Sequence, residues 1–183
     1  KTFVWPLFSD DTASSLCYTS GTTGNPKGVL YSHQSNLNHA MVTAHKDVFD
    51  LSVKDSFLLI VPMFHANGWG LPFSVPMVGG KLVLPGPFMD GESLHEIIKA
   101  ENCNKTCAVP TVMTILIDHL DNKSLQIPSM SKIYIGGSAV PISMIERFET
   151  RYDVEVNHGW GMTETVVGTF NCHLPFMDEL NFE

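Results

Sequence analysis

The segment Tyr18-Thr19-Ser20-Gly21-Thr22-Thr23-Gly24-Asn25-Pro26-Lys27-Gly28 carries four aliphatic hydroxyls, three glycines and one lysine in a single short stretch. Glycine admits φ > 0 and lets backbone approach an anion closely, so that successive N–H groups can point inward as a nest. The hydroxyls add neutral donors, and the ammonium of Lys27 can neutralise a phosphate. The spacing is not that of a Walker A loop, whose lysine is followed by Ser or Thr and opens a helix. Here Lys27 is followed by Gly28 and a short apolar run. A Ser/Thr/Gly-rich surface turn that happens to hold a lysine is the alternative. The density of donors across the whole stretch favours a cradle for phosphate.

Three other segments combine glycine with chemistry-bearing side chains. They are Val61-Pro62-Met63-Phe64-His65-Ala66-Asn67-Gly68-Trp69-Gly70, Ile135-Gly136-Gly137-Ser138-Ala139-Val140-Pro141 and His158-Gly159-Trp160-Gly161-Met162-Thr163-Glu164. Taken alone, His65 in an apolar loop reads as a hydrogen-bonded structural histidine, and Trp69 as a core residue. His33, His39 and His45 are spaced six apart, so they wander around a helix and share no face. Met41, Met113 and Met144 fit core stripes.

The elements that must hold these segments alternate between strand and helix. Leu16 to Tyr18 reads as the end of a buried strand and Gly28 to Tyr31 as another, flanking the hydroxyl-rich loop. Ser32 is a candidate N-cap for a helix with Leu37, Met41, Ala44 and Val48 as its apolar stripe. Phe57 to Val61, Lys81 to Leu84, Thr106 to Val109 and Lys132 to Ile135 read as strands. Asp153 to Asn157 alternates as a strand does. Between them, Leu94, Ile97 and Ile98 mark one helix, and Val112, Leu116 and Leu120 another. A third has Pro141 in its first turn and Ile145, Phe148 and Tyr152 on one face. This rhythm predicts layered α/β structure with a largely parallel sheet, as one domain or part of one.

Composition bounds the function classes. With 183 residues, 44% apolar and 16% charged, the chain is globular and large enough for one domain. Lysine and arginine number 11 against 19 acidic residues, a net charge of 11 − 19 = −8, and the basic residues are scattered. No nucleic-acid partner is expected. An acidic protein that binds a polyanion must do so with local backbone donors, a few cations and a metal. The four cysteines form no metal or disulfide spacing and read as reduced thiols of a cytoplasmic protein. No stretch is long and apolar enough to span a membrane. The chain opens at Lys1 without methionine and ends at Glu183 in an apolar-acidic stretch, which reads as a central piece of a longer protein. Apolar surface uncovered by such a cut is expected to cause self-association.

The segment YTSGTTGNPKG resembles the phosphate-loop signature of the adenylate-forming, acyl-activating superfamily, and the other three segments resemble family motifs in the same order. The wording is most similar to medium- and long-chain fatty-acyl-CoA synthetases. The resemblance implies that the chain, residues 1–183, is part of the large N-terminal domain of such an enzyme. It implies that Thr19, Ser20, Gly21, Thr22, Thr23, Gly24 and Lys27 hold the β- and γ-phosphates of ATP. Gly137, Ser138 and Ala139 would border adenine, with His158, Gly159, Trp160, Gly161 and Met162 completing the nucleotide site and Trp160 stacking on the base. Thr163 would bond the α-phosphate, and Glu164 would ligate Mg²⁺ with Thr19 as a weaker contributor. His65 and Ala66 would border the acid, His65 near its carboxylate, with Trp69 as an aromatic gate. Phe64-His65 lacks the aspartate that amino-acid-activating relatives use, which argues against an amino-acid substrate.

The family reaction joins a carboxylic acid to ATP and then to coenzyme A, so the implied partners are these small molecules. Three family features have no match here: an acidic ribose-holding residue, a hinge arginine and a C-terminal lid domain with its lysine. The chain alone is therefore expected to be inactive or nearly so. The alternatives are a non-catalytic nucleotide- and acyl-binding fragment, a luciferase-like enzyme and a carrier-loading adenylation domain.

Overall fold

Short apolar runs bounded by Gly and Pro pair as parallel strands, and the striped segments between them fold as helices on both faces. The computed structural model describes residues 2–19 and 24–165, and the backbone of 169–170. The chain opens with β1 (Ala13–Thr19), β2 (Lys27–Ser32) and α1 (His33–Ala44). Then come β3 (Ser56–Leu59), the short turn α2 (Ala66–Trp69), α3 (Leu71–Met77) and β4 (Lys81–Val83). The rest is α4 (Gly91–Glu101), β5 (Lys105–Ala108), α5 (Pro110–Lys123), β6 (Lys132–Gly136), α6 (Ile142–Tyr152), β7 (Glu155–Trp160) and β8 (Thr169–Phe170).

The main sheet has the order β4-β3-β5-β6-β7-β8. Its first five strands are parallel, and β8 closes one edge antiparallel to β7. Every residue of β3 and β5 is buried, as central parallel strands must be when helices cover both faces. The period of two then divides the core. Leu58, Ile60, Ile133 and Ile135 face α4, α5 and α6 through Leu94, Ile98, Leu116, Leu120 and Phe148. Phe57, Leu59, Val61 and Tyr134 face Phe49, Trp69, Leu71 and Val75 on the other side.

Local chemistry sets the helix ends. The Ser32 and Asp90 side chains accept from the N–H groups of Ser35 and Ser93 and cap α1 and α4. Pro110 opens α5 within its first turn. Pro141 stands one step earlier than expected, at the N-cap of α6.

Two expectations need correction. The stripe on α1 is reversed: Asn36, Ala40 and Thr43 are buried, whereas Leu37 and Met41 are exposed. Asn36 turns inward because it finds hydrogen-bond partners on β1, and those bonds fix the helix's rotation. Strands β1 and β2 do not join the parallel sheet. They form a separate antiparallel hairpin in which Cys17 and Tyr31 are buried while Leu16, Tyr18 and Leu30 are exposed. The antiparallel β8 and the turn and helix over 66–77 carry no periodic signal of their own.

An ion network locks the end of the sheet where its parallel strands begin. Lys105 Nζ lies 3.1 Å from Asp55 Oδ2, both almost fully buried, and it also donates to the Asp50 carbonyl. Lys132 Nζ bridges Asp50 and Glu155 at 3.3 Å each. Cys17, Cys103 and Cys107 are buried free thiols; Cys172 lies outside the described residues.

Candidate active site

In a parallel sheet, all strands deliver their following loops to one edge, where ligands of α/β proteins bind. The aligned registers of β3, β5, β6 and β7 bring the segments after Leu59, Ala108, Gly136 and Trp160 to that edge. Three of the four segments singled out from sequence therefore meet there.

The fourth is the hydroxyl-rich loop at the tip of the β1–β2 hairpin. Thr19 and Lys27 are cross-strand partners where the loop opens and closes. Ser20, Gly21, Thr22 and Thr23 lie outside the described residues. Gly24 has φ +107°, with open space where a Cβ would stand, and Lys27 is exposed. Strand alternation puts Thr19, Lys27, Cys17 and Tyr31 on one face of the hairpin. From that face the Tyr31 hydroxyl donates to the backbone carbonyl of Thr163. This bond ties the strand that leaves the hydroxyl-rich loop to the segment that follows β7. Burial, followed by the neighbouring Cys17 and Glu164, pushes the Tyr31 phenol up to about 12, so it remains a donor at neutral pH.

At the end of β6, backbone comes unusually close to backbone. A Cβ on Gly136 would stand 2.7 Å from the Gly159 carbonyl oxygen and 3.1 Å from the Trp69 ring. Gly137 follows with φ +83°, a conformation that favours glycine. Ser138 and Ala139 are exposed. Beside them, His158 is half-buried, Gly159 buried, and Trp160 is 62% exposed. Gly161, Met162 and Glu164 are exposed, while Thr163 is buried.

The 65–70 turn is left-handed throughout its core. Ala66, Asn67, Gly68, Trp69 and Gly70 have φ of 45°, 51°, 61°, 56° and 74°. Each non-glycine residue in this region costs about 1–2 kcal/mol, least for Asn. Consequently the turn must be held by its contacts. Trp69 is 8% exposed and lies on Gly136, so it joins this turn to the β6 end. Gly70 has the His39 ring where a Cβ would go. Burial lowers His39 to about 4 and keeps it neutral. His65 is exposed and Ala66 is buried.

The residues that bind these parts together were not legible as functional. Asn67, Asn36, Ser14, Ser15 and Cys17 form one hydrogen-bonded cluster between β1, α1 and the left-handed turn. The Asn-Gly pair at 67–68 was the available signal, because Asn tolerates left-handed geometry. Tyr31 could have been found by counting alternate positions from Lys27 along β2. Among the described residues, no group of three or more His, Cys, Asp or Glu side chains is placed to hold a metal. No described helix is long and apolar enough to cross a membrane.

Comparison with known proteins identifies the family and the fold. The family model described as AMP-binding enzyme matches residues 5–182. The chain is 50% identical over 173 residues to a medium-chain-fatty-acid–CoA ligase of Ectopseudomonas oleovorans, covering 94% of this chain and 32% of that protein. It is 44% identical over 171 residues to a long-chain-fatty-acid–CoA ligase of Thermus thermophilus, covering 91% of this chain and 31% of that protein. The solved structure of O-succinylbenzoate coenzyme A synthetase from Bacillus subtilis with ATP and magnesium ion superposes with a TM-score of 0.75 at 28% identity. That match covers 86% of this chain and 32% of that one. The chain thus spans about a third of the length of the curated relatives it matches.

Proposed function

The chain belongs to the AMP-binding enzyme family, and we propose that it is the ATP- and acid-binding core of a fatty-acyl-CoA synthetase. The observation that carries the reading is the convergence of the hydroxyl-rich hairpin, the Gly136-Gly137 opening and the 65–70 turn at one sheet edge, tied by the Tyr31–Thr163 bond. Names of relatives supply the substrate class: the ligases from Ectopseudomonas oleovorans and Thermus thermophilus act on medium- and long-chain fatty acids.

In this reading Thr19, Gly24 and Lys27, with Ser20 to Thr23, hold the β- and γ-phosphates. Exposed Trp160 stacks on adenine beside Gly137, Ser138 and Ala139, with His158, Gly159, Gly161 and Met162 shaping that shelf. Thr163 bonds the α-phosphate. A carboxylate oxygen of the acid attacks the α-phosphorus in line, pyrophosphate leaves, and an acyl-adenylate results. The thiol of coenzyme A then displaces AMP from the activated carbonyl. The first step needs positioning and charge neutralisation more than covalent help from the protein. His65 and Ala66 border the reacting carboxylate, and Trp69 walls the acid side.

The donor set fits Mg²⁺, which takes one or two carboxylates plus substrate phosphates and keeps several waters. Glu164 is an exposed carboxylate, and Thr19 offers a hydroxyl. Bound there, the cation would neutralise phosphate charge.

Calorimetric titration of Mg·ATP and of a non-hydrolysable fatty-acyl-adenylate analogue tests the reading. Both should bind the 183-residue chain, and neither should bind the Lys27→Ala/Trp160→Ala variant. Equal binding by the variant overturns the assignment of the site. Acid-dependent ATP–pyrophosphate exchange should be found in the full-length gene product and be nearly absent from residues 1–183 alone. Exchange by the chain alone would show that the family features it lacks are dispensable.

A further inference from the structure

We propose that Asn67 is a positioning residue that couples the strand feeding the phosphate loop to the acid-side turn, so that nucleotide and acid bind cooperatively. The inference rests on the adenylation reading above and deepens it. The Asn67 side-chain nitrogen donates to Ser15 Oγ at 2.8 Å and to Asn36 Oδ1 at 3.2 Å, and its oxygen accepts from Cys17 Sγ at 3.4 Å. Asn36 donates in turn to Ser14 Oγ at 2.9 Å and Ser15 Oγ at 3.2 Å. Every β1 partner lies within a few residues of Thr19, where the loop begins.

On the other side, Asn67 stands two residues after His65 and two before Trp69, whose ring lies on Gly136. A single amide therefore ties the loop-bearing hairpin to a turn that reaches the acid side and the adenine side. Its geometry is directional. A buried amide with donors and acceptor all engaged has one satisfactory orientation, and losing it strands several polar groups at once. The turn also has little freedom to adjust on its own, because five successive residues stand at positive φ. A shift of β1 on nucleotide binding is passed by these hydrogen bonds to Asn67, and along the turn to His65 and Trp69. An apolar contact could slide without transmitting that shift; three directional hydrogen bonds cannot.

The experiment uses the full-length gene product with Asn67→Gly and Ser15→Ala. Glycine keeps the left-handed backbone and removes only the amide, and melting reads any cost to the fold; Ser15→Ala removes one partner and leaves Asn67 in place. Acid-dependent ATP–pyrophosphate exchange is measured with both substrates varied, alongside thermal melting. Asn67→Gly should raise the KM for the acid roughly tenfold, the net worth of about one lost hydrogen bond. The factor by which saturating ATP lowers the acid KM should fall toward one, and Ser15→Ala should show the same pattern more weakly. A lower melting temperature with unchanged KM values and unchanged substrate coupling would mean that Asn67 only stabilises the fold, and overturns the proposal. Equal increases in both KM values with coupling intact overturn it as well. If the unsubstituted protein shows no acid-dependent exchange, the adenylation reading fails first and this inference falls with it. Exchange with unperturbed variants refutes this inference alone.

Discussion

Replacing Gly136 by alanine tests whether the close approach at the end of β6 is a structural necessity. The added Cβ would lie 2.7 Å from the Gly159 carbonyl oxygen. An ordinary carbon–oxygen contact between neighbouring strands is about 3.3 Å, so β6 and β7 would have to separate by about 0.6 Å. Backbone cannot swing aside as a flexible side chain can. The same Cβ would meet the Trp69 ring at 3.1 Å, a contact relieved only by moving a residue held in a left-handed turn. Overpacking of this kind costs about 1–3 kcal/mol. For a domain of this size that corresponds to a melting temperature lower by about 2–12 °C.

The tryptophans supply the assay. Of the three in the sequence, Trp5 and Trp160 are exposed and Trp69 is 8% exposed. The blue edge of native emission therefore reports Trp69. Gly136→Ala should shift that emission to the red and lower the urea midpoint. A variant within about 0.5 kcal/mol of the parent, the range of ordinary surface substitutions, and with unshifted emission would refute the reasoning.

Lys105→Met should destabilise the chain by about 3–5 kcal/mol in urea titration, because it leaves the buried Asp55 carboxylate without its cation; adding Asp55→Asn should restore part of the loss. Burial alone would raise the Asp55 carboxyl, but hydrogen bonds from Asn104, the Ser52 N–H and Lys105, with the Lys105 charge, hold it below the usual carboxylate value. Its contribution is thus present above about pH 4 and is lost as pH falls through the depressed folded value, so the two proteins should converge in acid. His39 acts in the same direction at higher pH: its folded value of about 4 lies below the unfolded 6.5, the unfolded chain takes the proton first, and stability falls as pH drops between them. His39→Phe should flatten that part of a melting profile. The exposed Leu16, Tyr18, Leu30, Leu37 and Met41 predict self-association of residues 1–183; a monomer by sedimentation at high concentration counts against it.

What the sequence made legible follows the strength of each physical signal. Strands β3, β5 and β6 are short apolar runs between turn residues, and α4, α5 and α6 carry helical stripes, so their positions could be read directly. The same rule misled at α1. Leu37 and Met41 satisfy the stripe, yet Asn36 is the residue that faces inward, because its hydrogen bonds to β1 outweigh apolar periodicity. The β1–β2 hairpin carries apolar residues on both faces, so alternation could not reveal that one face is exposed. The hydroxyl-rich loop was found from residue type, and the other three glycine-bearing segments from their resemblance to family motifs. Their supports, Tyr31 and Asn67, were not, since a hydrogen bond across 132 or 52 positions leaves no local mark.

The two ends of the sheet are built on opposite principles, and the difference explains where chemistry can occur. At the entry end, Lys105 and Asp55 are buried as a pair, so removing one leaves the other to the cost of burial, and Lys132 bridges the partly exposed Asp50 and Glu155 beside them. At the exit end, Gly136 allows backbones to meet, Gly137 turns outward, and neither brings a side chain into the space beside Trp160. Backbone N–H groups and one aromatic face are left for a ligand. Such a surface has little internal cohesion of its own, so it must be held from outside: by Trp69 lying on Gly136, by Tyr31 on Thr163 and by Asn67 on β1. Trp69 and Asn67 come from the left-handed turn and Tyr31 from β2, and together they hold the β1–β2 hairpin and that turn at the same edge. A substitution at Tyr31 or Asn67 should therefore disturb ligand geometry as well as stability, whereas one in the entry-end ion network should change stability and leave the exit end in place.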